Sequence, residues 1–393
     1  MKVLLNDNIE SHGIRVFETA NIETDTRRRD LKSLIADIGQ FDALIVRSAT
    51  KVTREVLEAG AEGKLKIVGR AGVGYDNIDV AAASEKGIIV KCAQHGNTNA
   101  VAELALSLML SLSRKVPQAH LSLKQGVWNR EEFKGTELSY KTLGILGCGK
   151  IGKRLGELAR RGFDMNVIGY DTCPCFDSGI KFMSKDKVLA KADYVSIHTG
   201  GKEVVVGDKE LSLMKPTAYL INTSRGYNVD EEALYKALKE GKIAGAAVDV
   251  YNEEPKREGI KFENKLRKFD NVIFSSHLGA STVEAQKATS IEIARSVSNY
   301  LLGGDFTGAV NVGESIELEE RPLHTIFIHH RDTPGVFASI DKVLTDNNVN
   351  IRTIYSRQIG TGFAIAVYLI HQKVTPEIIK KLEKNENICS VKV

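Results

Sequence analysis

Short apolar runs rich in β-branched residues alternate with stretches of helical spacing through the first three quarters of the chain. Four runs near the N-terminus have the length and composition of buried strands: Val3–Asn6, Ala43–Val46, Lys66–Val68 and Ile88–Lys91. Between them, stretches such as Leu31–Ile38 and Thr53–Ala59 repeat apolar residues at helical spacing. This alternation of strand and helix predicts βαβ units and a parallel sheet.

The alternation restarts at Lys141 and gives a second series of strands. They are Thr142–Leu146, Asn166–Tyr170, Tyr194–His198, Ala218–Thr223, Gly245–Val250 and Val272–Ser275. We therefore predict an α/β chain with two doubly wound parallel-sheet domains, one for each series.

Two long helical patterns flank the second series. Asn97–Arg114 is apolar on almost every side, which predicts a helix buried on both sides that joins two domains or packs against a second subunit. Ser281–Leu302 ends at a pair of glycines and is predicted to carry the chain back to the first domain. The predicted first, substrate-binding domain therefore contains residues 1–96 and 283–312, and the second contains residues 97–282.

The composition changes after Val312. Residues 313–322 are acidic and end at a proline, so we predict a linker. The remaining residues, 323–393, have the pattern βαββαβ, which is the ferredoxin-like order. Its elements are predicted at Thr325–His330, Gly335–Asp346, Asn350–Ile359, Gly362–Ile370, Pro376–Lys384 and Ile388–Val393. A small domain of this kind has an exposed sheet edge, which favours pairing with a second copy.

Composition and charge narrow the class of protein. Of 393 residues, 42% are hydrophobic and 26% are charged, as is typical of a globular chain. Lys and Arg number 54 against 50 Asp and Glu, so the net charge of +4 argues against a nucleic-acid partner. The longest strongly apolar stretch, residues 104–113, is roughly half of a membrane span, and no signal peptide is apparent. No membrane partner is predicted.

The cysteines indicate the compartment. Five cysteines are scattered along the chain, which argues against a disulfide framework and favours a reducing, cytoplasmic location. Cys173 and Cys175 are close in sequence, but no second pair at metal-ligand spacing lies nearby, so no metal site is predicted.

A glycine-rich turn follows the first strand of the second series. Gly147, Gly149 and Gly152 form the pattern GxGxxG between a strand and a helix. In that pattern the first glycine permits a tight turn, the second lets a pyrophosphate approach, and the third lets the helix pack on the strand. The helix N-terminus then offers free N–H groups to the diphosphate. Asp171 ends the next strand, where a carboxylate accepts from a ribose 2′-hydroxyl and repels a 2′-phosphate, so NAD is predicted rather than NADP.

Three polar residues follow successive strands at carboxyl ends, where open parallel sheets bind ligands. They are Arg225, Glu254 and His277. Arginine can hold a carboxylate with two hydrogen bonds, and histidine carries protons near neutral pH. Spacing alone leaves other interpretations open, since Arg225 could form a surface ion pair and His277 could be a core histidine.

Several segments resemble the D-isomer-specific 2-hydroxyacid dehydrogenase family. INTSRG, GAAVDVYNEEP and SSHLGASTVEAQ are similar to its signature segments, and LGILGCGKIG…GYD is similar to its cofactor fingerprint. The resemblance covers residues 1–312. LIVRSATKVT, VGRAGVGYDNIDV, GNTNAVAEL and GVWNREEFKGTEL are similar to segments of family members that act on D-3-phosphoglycerate. Residues 323–393 resemble an ACT domain, an amino-acid-sensing module.

The resemblance implies NAD-dependent oxidation of D-3-phosphoglycerate to 3-phosphohydroxypyruvate, a step of serine biosynthesis. Arg225 would hold the substrate carboxylate, His277 would accept the proton of the 2-hydroxyl, and Glu254 would hydrogen-bond His277. The residues implied for cofactor binding are Val73, Gly147, Gly149, Lys150, Ile151, Gly152, Asp171, Thr199, Thr223, Ser224, Arg225, Asp249, His277, Leu278, Gly279 and Ala280. Those implied for substrate binding are Arg47, Ser48, Arg70, Gly74 and Asn97.

The resemblance also implies regulation and assembly. His330, Asp332 and Asn350 match positions that bind serine in related enzymes, although Asp332 stands where asparagine is usual. Serine is therefore an expected effector, bound between paired C-terminal domains. A homodimer through Asn97–Arg114, or a homotetramer that also pairs the C-terminal domains, is implied.

Two alternative functions stay open. The chain could be another D-2-hydroxyacid dehydrogenase that reduces hydroxypyruvate, glyoxylate or 2-oxoglutarate. It could also be a non-catalytic NAD-sensing corepressor on the same fold. A phosphorylated acid needs a cation beyond Arg225, which Arg47 or Arg70 could supply, or Arg130 or Lys134 of a neighbouring subunit.

Overall fold

The computed structural model of the chain describes residues 1–174, 179–255, 259–312, 324–360 and 362–393. Packing groups the chain into two units, Met1–Gly96 with Gln286–Val393, and Asn97–Ala285. The predicted linker at 313–322 and Cys175 lie outside the described residues.

The first unit contains a five-stranded parallel sheet. Its strands are β1 (Lys2–Leu5), β2 (Glu23–Asp25), β3 (Ala43–Val46), β4 (Ile67–Arg70) and β5 (Ile89–Cys92), and its helices are α1 (Ser11–Thr19), α2 (Leu31–Asp37), α3 (Arg54–Ala61) and α4 (Val80–Glu85). The strand order is β2-β1-β3-β4-β5. Asp30 and Asp79 start α2 and α4 by accepting N–H groups of the first turn. Because β3 is buried on both faces, it is a continuous apolar run rather than an alternating one.

The second unit contains a seven-stranded parallel sheet. Its strands are β6 (Thr142–Leu146), β7 (Asn166–Tyr170), β8 (Lys181–Phe182), β9 (Tyr194–Ile197), β10 (Tyr219–Asn222), β11 (Gly245–Val248) and β12 (Val272–Phe274). Its helices are α5 (Thr98–Arg114), α6 (Val116–Lys124), α7 (Lys150–Phe163), α8 (Lys185–Lys191), α9 (Asp208–Leu213) and α10 (Glu231–Lys239). The strand order is β12-β11-β10-β9-β6-β7-β8. The chain adds strands on one side of β6 and then on the other, and open α/β sheets bind ligands at such a switch in strand order. Two doubly wound parallel sheets are therefore confirmed.

Helix α5 buries one of its faces within the second unit. It packs against α7 and strands β10 to β12 through one face, which includes Ala105 and Met109. Its other leucines, Leu104, Leu106 and Leu110, are only partly buried. Among the described residues no second layer covers the outer face, so burial of that face between two domains or against a second subunit stays a prediction. Helix α6, which follows it, contains no buried residue.

A long helix leads to the C-terminal domain. Helix α11 (Val283–Gly303) is followed by β13 (His324–Arg331), α12 (Val336–Asp346), β14 (Ile351–Ile359), β15 (Phe363–Ile370), α13 (Pro376–Glu383) and β16 (Ile388–Lys392). The four strands form an antiparallel sheet in the order β14-β15-β13-β16. Both helices cover one face of this sheet, where Ile328, Ile340 and Tyr368 share a core. The predicted ferredoxin-like βαββαβ order is confirmed.

The opposite face of the C-terminal sheet packs within the first unit. Ile365 and Val367 of β15 belong to the same apolar cluster as Ile293 and Val297 of α11. The approach is close, since a Cβ added to Gly87 would lie 2.9 Å from the ring of Phe363. A Cβ added to Gly360 would lie 2.6 Å from the Cβ of Ser84. We call this face of the sheet the docked face.

Candidate active site

The glycine-rich turn joins β6 to α7. Gly147 has a φ of +91°, and a Cβ there would lie 2.7 Å from the carbonyl of His198. A Cβ on Gly152 would lie 2.3 Å from the Gly147 oxygen. Around Gly149, in contrast, no described heavy atom lies within 4 Å of the position that a Cβ would take. The turn therefore leaves room for a ligand in front of the N-terminus of α7, which begins with Lys150 and Ile151.

Asp171 lies beside this turn, at the end of β7. Its carboxylate accepts from the backbone N–H of Cys148 at 2.6 Å and from that of Cys173 at 2.9 Å. The Asp171 carboxylate is thus held beside the GxGxxG turn, where the sequence pattern predicts an acid that binds the ribose.

Polar side chains follow the neighbouring strands β9 and β10. Thr199 and Thr223 each have a buried Oγ1 without a hydrogen-bond partner among the described residues. The hydroxyl of Ser224 is engaged, because it bonds Asn222 and Asn228 at 2.8 and 3.0 Å. Buried hydroxyls without partners fit a polar ligand that satisfies them, since such groups are otherwise costly to bury. Together with the open turn at Gly149, they fit a dinucleotide.

Glu254 and His277 form a hydrogen-bonded pair after β11 and β12. The Nδ1 atom of His277 lies 3.0 and 2.9 Å from the two carboxylate oxygens of Glu254. A carboxylate can only accept, so Nδ1 carries the hydrogen and Nε2 is left to exchange a proton. The two side chains are 52% and 37% exposed, so the pair is open to a reactant.

The electrostatics of the pair follow from its contacts. The hydrogen bond that His277 donates to Glu254 raises the pKa of His277, and both partial burial and the charge of Arg225 oppose that rise. Burial raises the pKa of Glu254, but the hydrogen bond and charge of His277 outweigh burial and lower it. The Glu254 carboxylate therefore stabilises the protonated form of His277. This makes the neutral imidazole a stronger base, which suits a proton acceptor.

Asp249 shapes the turn that carries His277. Its carboxylate is fully buried and accepts from the backbone N–H groups of Leu278 at 2.8 Å and Gly279 at 3.0 Å, and from the Ser275 hydroxyl at 2.6 Å. These bonds hold His277 at a φ of +57°, a left-handed conformation that is uncommon outside glycine. Among the predicted cofactor residues, Leu278 and Gly279 thus both donate to Asp249, and Ala280 follows them.

Arg225 lies at the end of β10 in the same unit. Its Nη1 donates to the carbonyl of Ser224 at 2.8 Å, and its backbone is extended with a φ of −140°. The structure thus brings Arg225, Glu254 and His277 to the carboxyl ends of adjacent strands β10, β11 and β12.

The first unit holds the remaining predicted site residues except Asn97. Arg47 and exposed Ser48 follow β3, and Arg70 ends β4, so both arginines lie at one edge of that sheet. The Arg70 guanidinium lies over Gly72, where a Cβ would be 1.4 Å from Nη1. Val73 and Gly74 follow it and are half-buried.

Two further polar residues lie one in each unit. Asp7, which sequence reasoning missed, accepts from the N–H groups of Arg47 at 2.7 Å and Thr50 at 3.0 Å. Its position two residues after the end of β1 is the signal that could have found it. In the second unit, Asn97 precedes α5 and has a buried Oδ1 without a partner among the described residues.

The predicted effector residues are not brought together within one chain. His330 is buried, its Nδ1 donates to the Arg331 carbonyl at 2.8 Å, and its Nε2 has no partner in the described part of the chain. Asp332 accepts from Gln358 at 2.6 Å. Exposed Asn350 lies at the opposite end of the sheet, because Arg331 pairs with Phe363 whereas Ile351 pairs with Ile370.

Membrane-spanning helices and metal-binding clusters are both absent from the described ranges. No helix in them is both long and apolar enough to cross a bilayer. No three His, Cys, Asp or Glu side chains in them gather into a group that could hold a metal ion.

Comparison with known proteins identifies the class to which this fold and site belong. Residues 106–279 match the family described as D-isomer specific 2-hydroxyacid dehydrogenase, NAD binding domain, and residues 324–387 match the ACT domain. A hydroxypyruvate reductase of Thermotoga maritima is 38% identical over 305 residues, which cover 76% of this chain and 98% of that protein. The chain belongs to the D-isomer-specific 2-hydroxyacid dehydrogenase family and carries its NAD-binding domain.

Proteins named D-3-phosphoglycerate dehydrogenase are among its relatives. The one from Methanocaldococcus jannaschii is 42% identical over 320 residues, covering 79% of this chain and 60% of that protein. The one from Homo sapiens is 39% identical over 320 residues, covering 79% of this chain and 58% of that protein. The chain therefore spans less than two thirds of the length of either. A glyoxylate reductase from Paecilomyes thermophila has a similar fold, with a TM-score of 0.70 and 28% identity over 79% of this chain and 98% of that one.

Proposed function

We propose that the chain catalyses the NAD-dependent oxidation of D-3-phosphoglycerate to 3-phosphohydroxypyruvate, a step of serine biosynthesis. The observation that carries the reaction type is the Glu254–His277 hydrogen bond at the carboxyl ends of β11 and β12. The substrate is supported by the relatives named D-3-phosphoglycerate dehydrogenase, which match 79% of this chain. Because the chain covers only part of their length, the activity and the substrate are both parts of the proposal.

The second unit would hold the cofactor. The N–H groups at the start of α7, with Gly147, Gly149 and Gly152, would bind the diphosphate, and Asp171 would accept from the adenosine ribose. The hydroxyls of Thr199 and Thr223, with the turn from His277 to Ala280, would bind the nicotinamide half. When bound, NAD supplies a ring that accepts the hydride from C2 of the substrate. The Asp171 carboxylate would disfavour a 2′-phosphate and so select NAD over NADP.

Three side chains would act on the substrate. Arg225 would bind the substrate carboxylate through its planar fork of N–H groups. The Nε2 atom of His277 would accept the proton of the 2-hydroxyl, because its Nδ1 hydrogen is committed to Glu254. Glu254 would then stabilise the imidazolium that results, as an adjacent anion favours a charged histidine.

The phosphoryl group requires further cations. We assign this role to Arg47 and Arg70 of the first unit, with Ser48, Gly74 and Asn97 as polar contacts of the substrate. Asp7 supports the assignment of Arg47, since its carboxylate fixes the backbone N–H of that residue at 2.7 Å. Exposed Arg130 and Lys134 are candidates to act from a neighbouring subunit.

A second candidate function is the reduction of hydroxypyruvate or glyoxylate. The observation that favours it is the hydroxypyruvate reductase of Thermotoga maritima, of which the chain covers 98%. The two functions share Arg225, Glu254 and His277 and differ in whether a phosphoryl group must be bound.

A substrate panel followed by NADH absorbance distinguishes them. We expect kcat/KM for D-3-phosphoglycerate to exceed that for D-glycerate by at least about tenfold, since one charge-assisted hydrogen bond is worth about 1.5–3 kcal/mol. Equal kcat/KM values for D-3-phosphoglycerate and D-glycerate would favour the second candidate. So would an enzyme that reduces hydroxypyruvate but does not reduce phosphohydroxypyruvate. If the protein turned over no 2-hydroxy or 2-oxo acid, both candidate functions would be contradicted.

We also propose that the chain forms homo-oligomers through Asn97–Arg114, which contains α5, and the adjoining surface around α6. Helix α6 has no buried residue, and Leu121, Leu123, Val127 and Trp128 near it are all exposed, Trp128 by 82%. An apolar patch of this kind on a water-exposed chain is typical of a subunit interface. Trp128→Glu should shift the mass measured by light scattering to that of a smaller species, whereas an unchanged mass would contradict this interface.

Serine is the proposed effector of the C-terminal domain. The separation of His330 and Asp332 from Asn350 in one chain supports a site that two copies complete. Titration of the intact enzyme with serine should show saturable inhibition that His330→Ala weakens. Absence of both binding and inhibition at millimolar serine would leave this domain a structural one.

A further inference from the structure

A buried tyrosine touches each of the three segments that carry the proposed catalytic residues. Tyr251 lies three residues before Glu254, and its backbone N–H donates to a Glu254 oxygen at 3.3 Å. Its hydroxyl lies 2.7 Å from the carbonyl of Ser275, two residues before His277, and 2.9 Å from that of Val248. The signature segment GAAVDVYNEEP contains this residue, but sequence reasoning gave it no role.

The third segment approaches from β10. A Cβ added to Gly226, the residue after Arg225, would lie 2.0 Å from the carbonyl carbon of Tyr251. The two backbones are therefore in direct contact, and glycine is required at 226 for that contact. The ring of Tyr251 is held in turn by Phe262, whose ring centre is 4.6 Å away.

We propose that Tyr251 is a positioning residue that fixes the distance between Glu254 and His277. The strand pairing ends at Val248 and Phe274. Beyond it, the two chain segments stay joined by backbone hydrogen bonds from the Ser275 N–H to the Val248 carbonyl at 3.0 Å and from the His277 N–H to the Asp249 carbonyl at 2.8 Å. The Tyr251 hydroxyl adds a side-chain link from the segment that carries Glu254 to the Ser275 carbonyl, and the Asp249 carboxylate adds another through the Ser275 hydroxyl. This inference rests on the proposed function for its catalytic meaning, but the geometry that it predicts does not depend on the substrate.

The charged groups around Glu254 and His277 determine how the pKa of His277 changes when the two side chains move apart. Glu254, Asp249 and Arg225 act on His277, and Asp249, Glu254 and Glu231 act on Tyr251. Burial and the two nearby carboxylates of Asp249 and Glu254 raise the pKa of Tyr251, so its hydroxyl stays a hydrogen-bond donor. If the hydroxyl is removed, Glu254 and His277 can separate, and the rise in the pKa of His277 is reduced.

The experiment compares Tyr251→Phe with wild type, with Glu254→Gln and with Tyr235→Phe, all as the full chain. Tyr235 is a matched control, because it packs on Phe269 in the same sheet domain, on α10. The proton resonances of the nine histidines are followed by NMR against pH without substrate, and His277→Asn identifies the resonance of His277. In parallel, kcat and KM are measured across pH.

We expect the titration of His277 in Tyr251→Phe to move from the wild-type midpoint toward that of Glu254→Gln. We expect kcat to fall by about 3- to 10-fold, the size of one hydrogen bond, with KM for NAD changed by less than about twofold. Tyr235→Phe should leave both unchanged. If Tyr251→Phe fails to fold, Phe262→Leu, which loosens the ring but keeps the hydroxyl, should produce the same shift at a smaller size.

A fall in melting temperature without movement of the His277 midpoint would overturn the inference and leave Tyr251 a structural residue. Failure of the proposed function is distinguishable. In that case the chain would not oxidise D-3-phosphoglycerate, whereas the NMR comparison of the four proteins would still decide the role of Tyr251.

Discussion

Lys91 is a buried cation whose effect on stability can be worked out from its surroundings. It lies in β5 with 1% of its surface exposed, and its Nζ donates to the carbonyl oxygens of Asp305 at 2.6 Å and Ser296 at 3.4 Å. Burial lowers the pKa of Lys91 from 10.5 to about 8, and the charge of Asp305 opposes this only in part. The folded chain therefore releases this proton at a lower pH than the unfolded chain does.

The sign and size of the effect follow by linkage. Between pH 8 and 10.5 the unfolded chain binds the Lys91 proton more tightly, so the free energy of unfolding rises with pH over this window. Below pH 8 both states are protonated and the full penalty applies. The two pKa values correspond to a penalty of about 3 kcal/mol, of which about 2.5 kcal/mol is relieved between pH 7 and pH 10.

The test is Lys91→Met, which keeps the length of the side chain and removes its charge. Loss of the two hydrogen bonds lowers stability by about 1–3 kcal/mol at every pH, while removal of the buried charge raises it only at low pH. We therefore expect the difference in free energy of unfolding between wild type and Lys91→Met to move by about 2.5 kcal/mol in favour of wild type from pH 7 to pH 10. Urea unfolding at both pH values measures it, with exposed Lys64→Met as the control. A difference that does not change with pH would refute the reasoning.

Three further predictions concern the site. His277→Asn should lower kcat by about 10²–10⁴-fold while NAD binding, measured by fluorescence titration, stays within a few-fold of wild type, and wild-type turnover would show that the proton acceptor is elsewhere. Asp171→Ala should raise the ratio of kcat/KM with NADP to that with NAD, because the acceptor for the 2′-hydroxyl and the repulsion of a 2′-phosphate are both lost; an unchanged ratio would point to another acid. Arg47→Ala should reduce kcat/KM for D-3-phosphoglycerate by about 10-fold or more and that for D-glycerate far less, and equal losses would make Arg47 structural.

The sheets could be predicted from the sequence because their strands are buried on both faces. Ala43–Val46 and Thr142–Leu146 lie where continuous apolar runs place them, and Gly147 marks the turn that follows. Short or exposed elements were missed, as α4 was, because six residues such as Val80–Glu85 carry too little periodicity to be distinguished from a loop.

The candidate site was predictable only in part. Arg225, Glu254 and His277 each follow a strand, and parallel strands end at one edge, so their approach could be expected. Asp7 also follows a strand, β1, and could have been found in that way, but Tyr251 could not. The Tyr251 hydroxyl bonds the carbonyl groups of Val248 and Ser275, and such a contact has no pattern in the sequence. The spacing of apolar residues in α5 likewise does not specify which partner, if any, packs against the outer side of that helix.

The docked face limits how the C-terminal domain can be studied. Because β15 shares an apolar cluster with α11, a chain shortened at residue 312 would leave Ile293, Val297 and their neighbours facing water. A shortened protein that failed to respond to serine would thus report the collapse or aggregation of the first unit as readily as the loss of an effector site. Single substitutions at His330 or Asp332 keep that face covered, and they separate the sensing role of the domain from its contribution to the core.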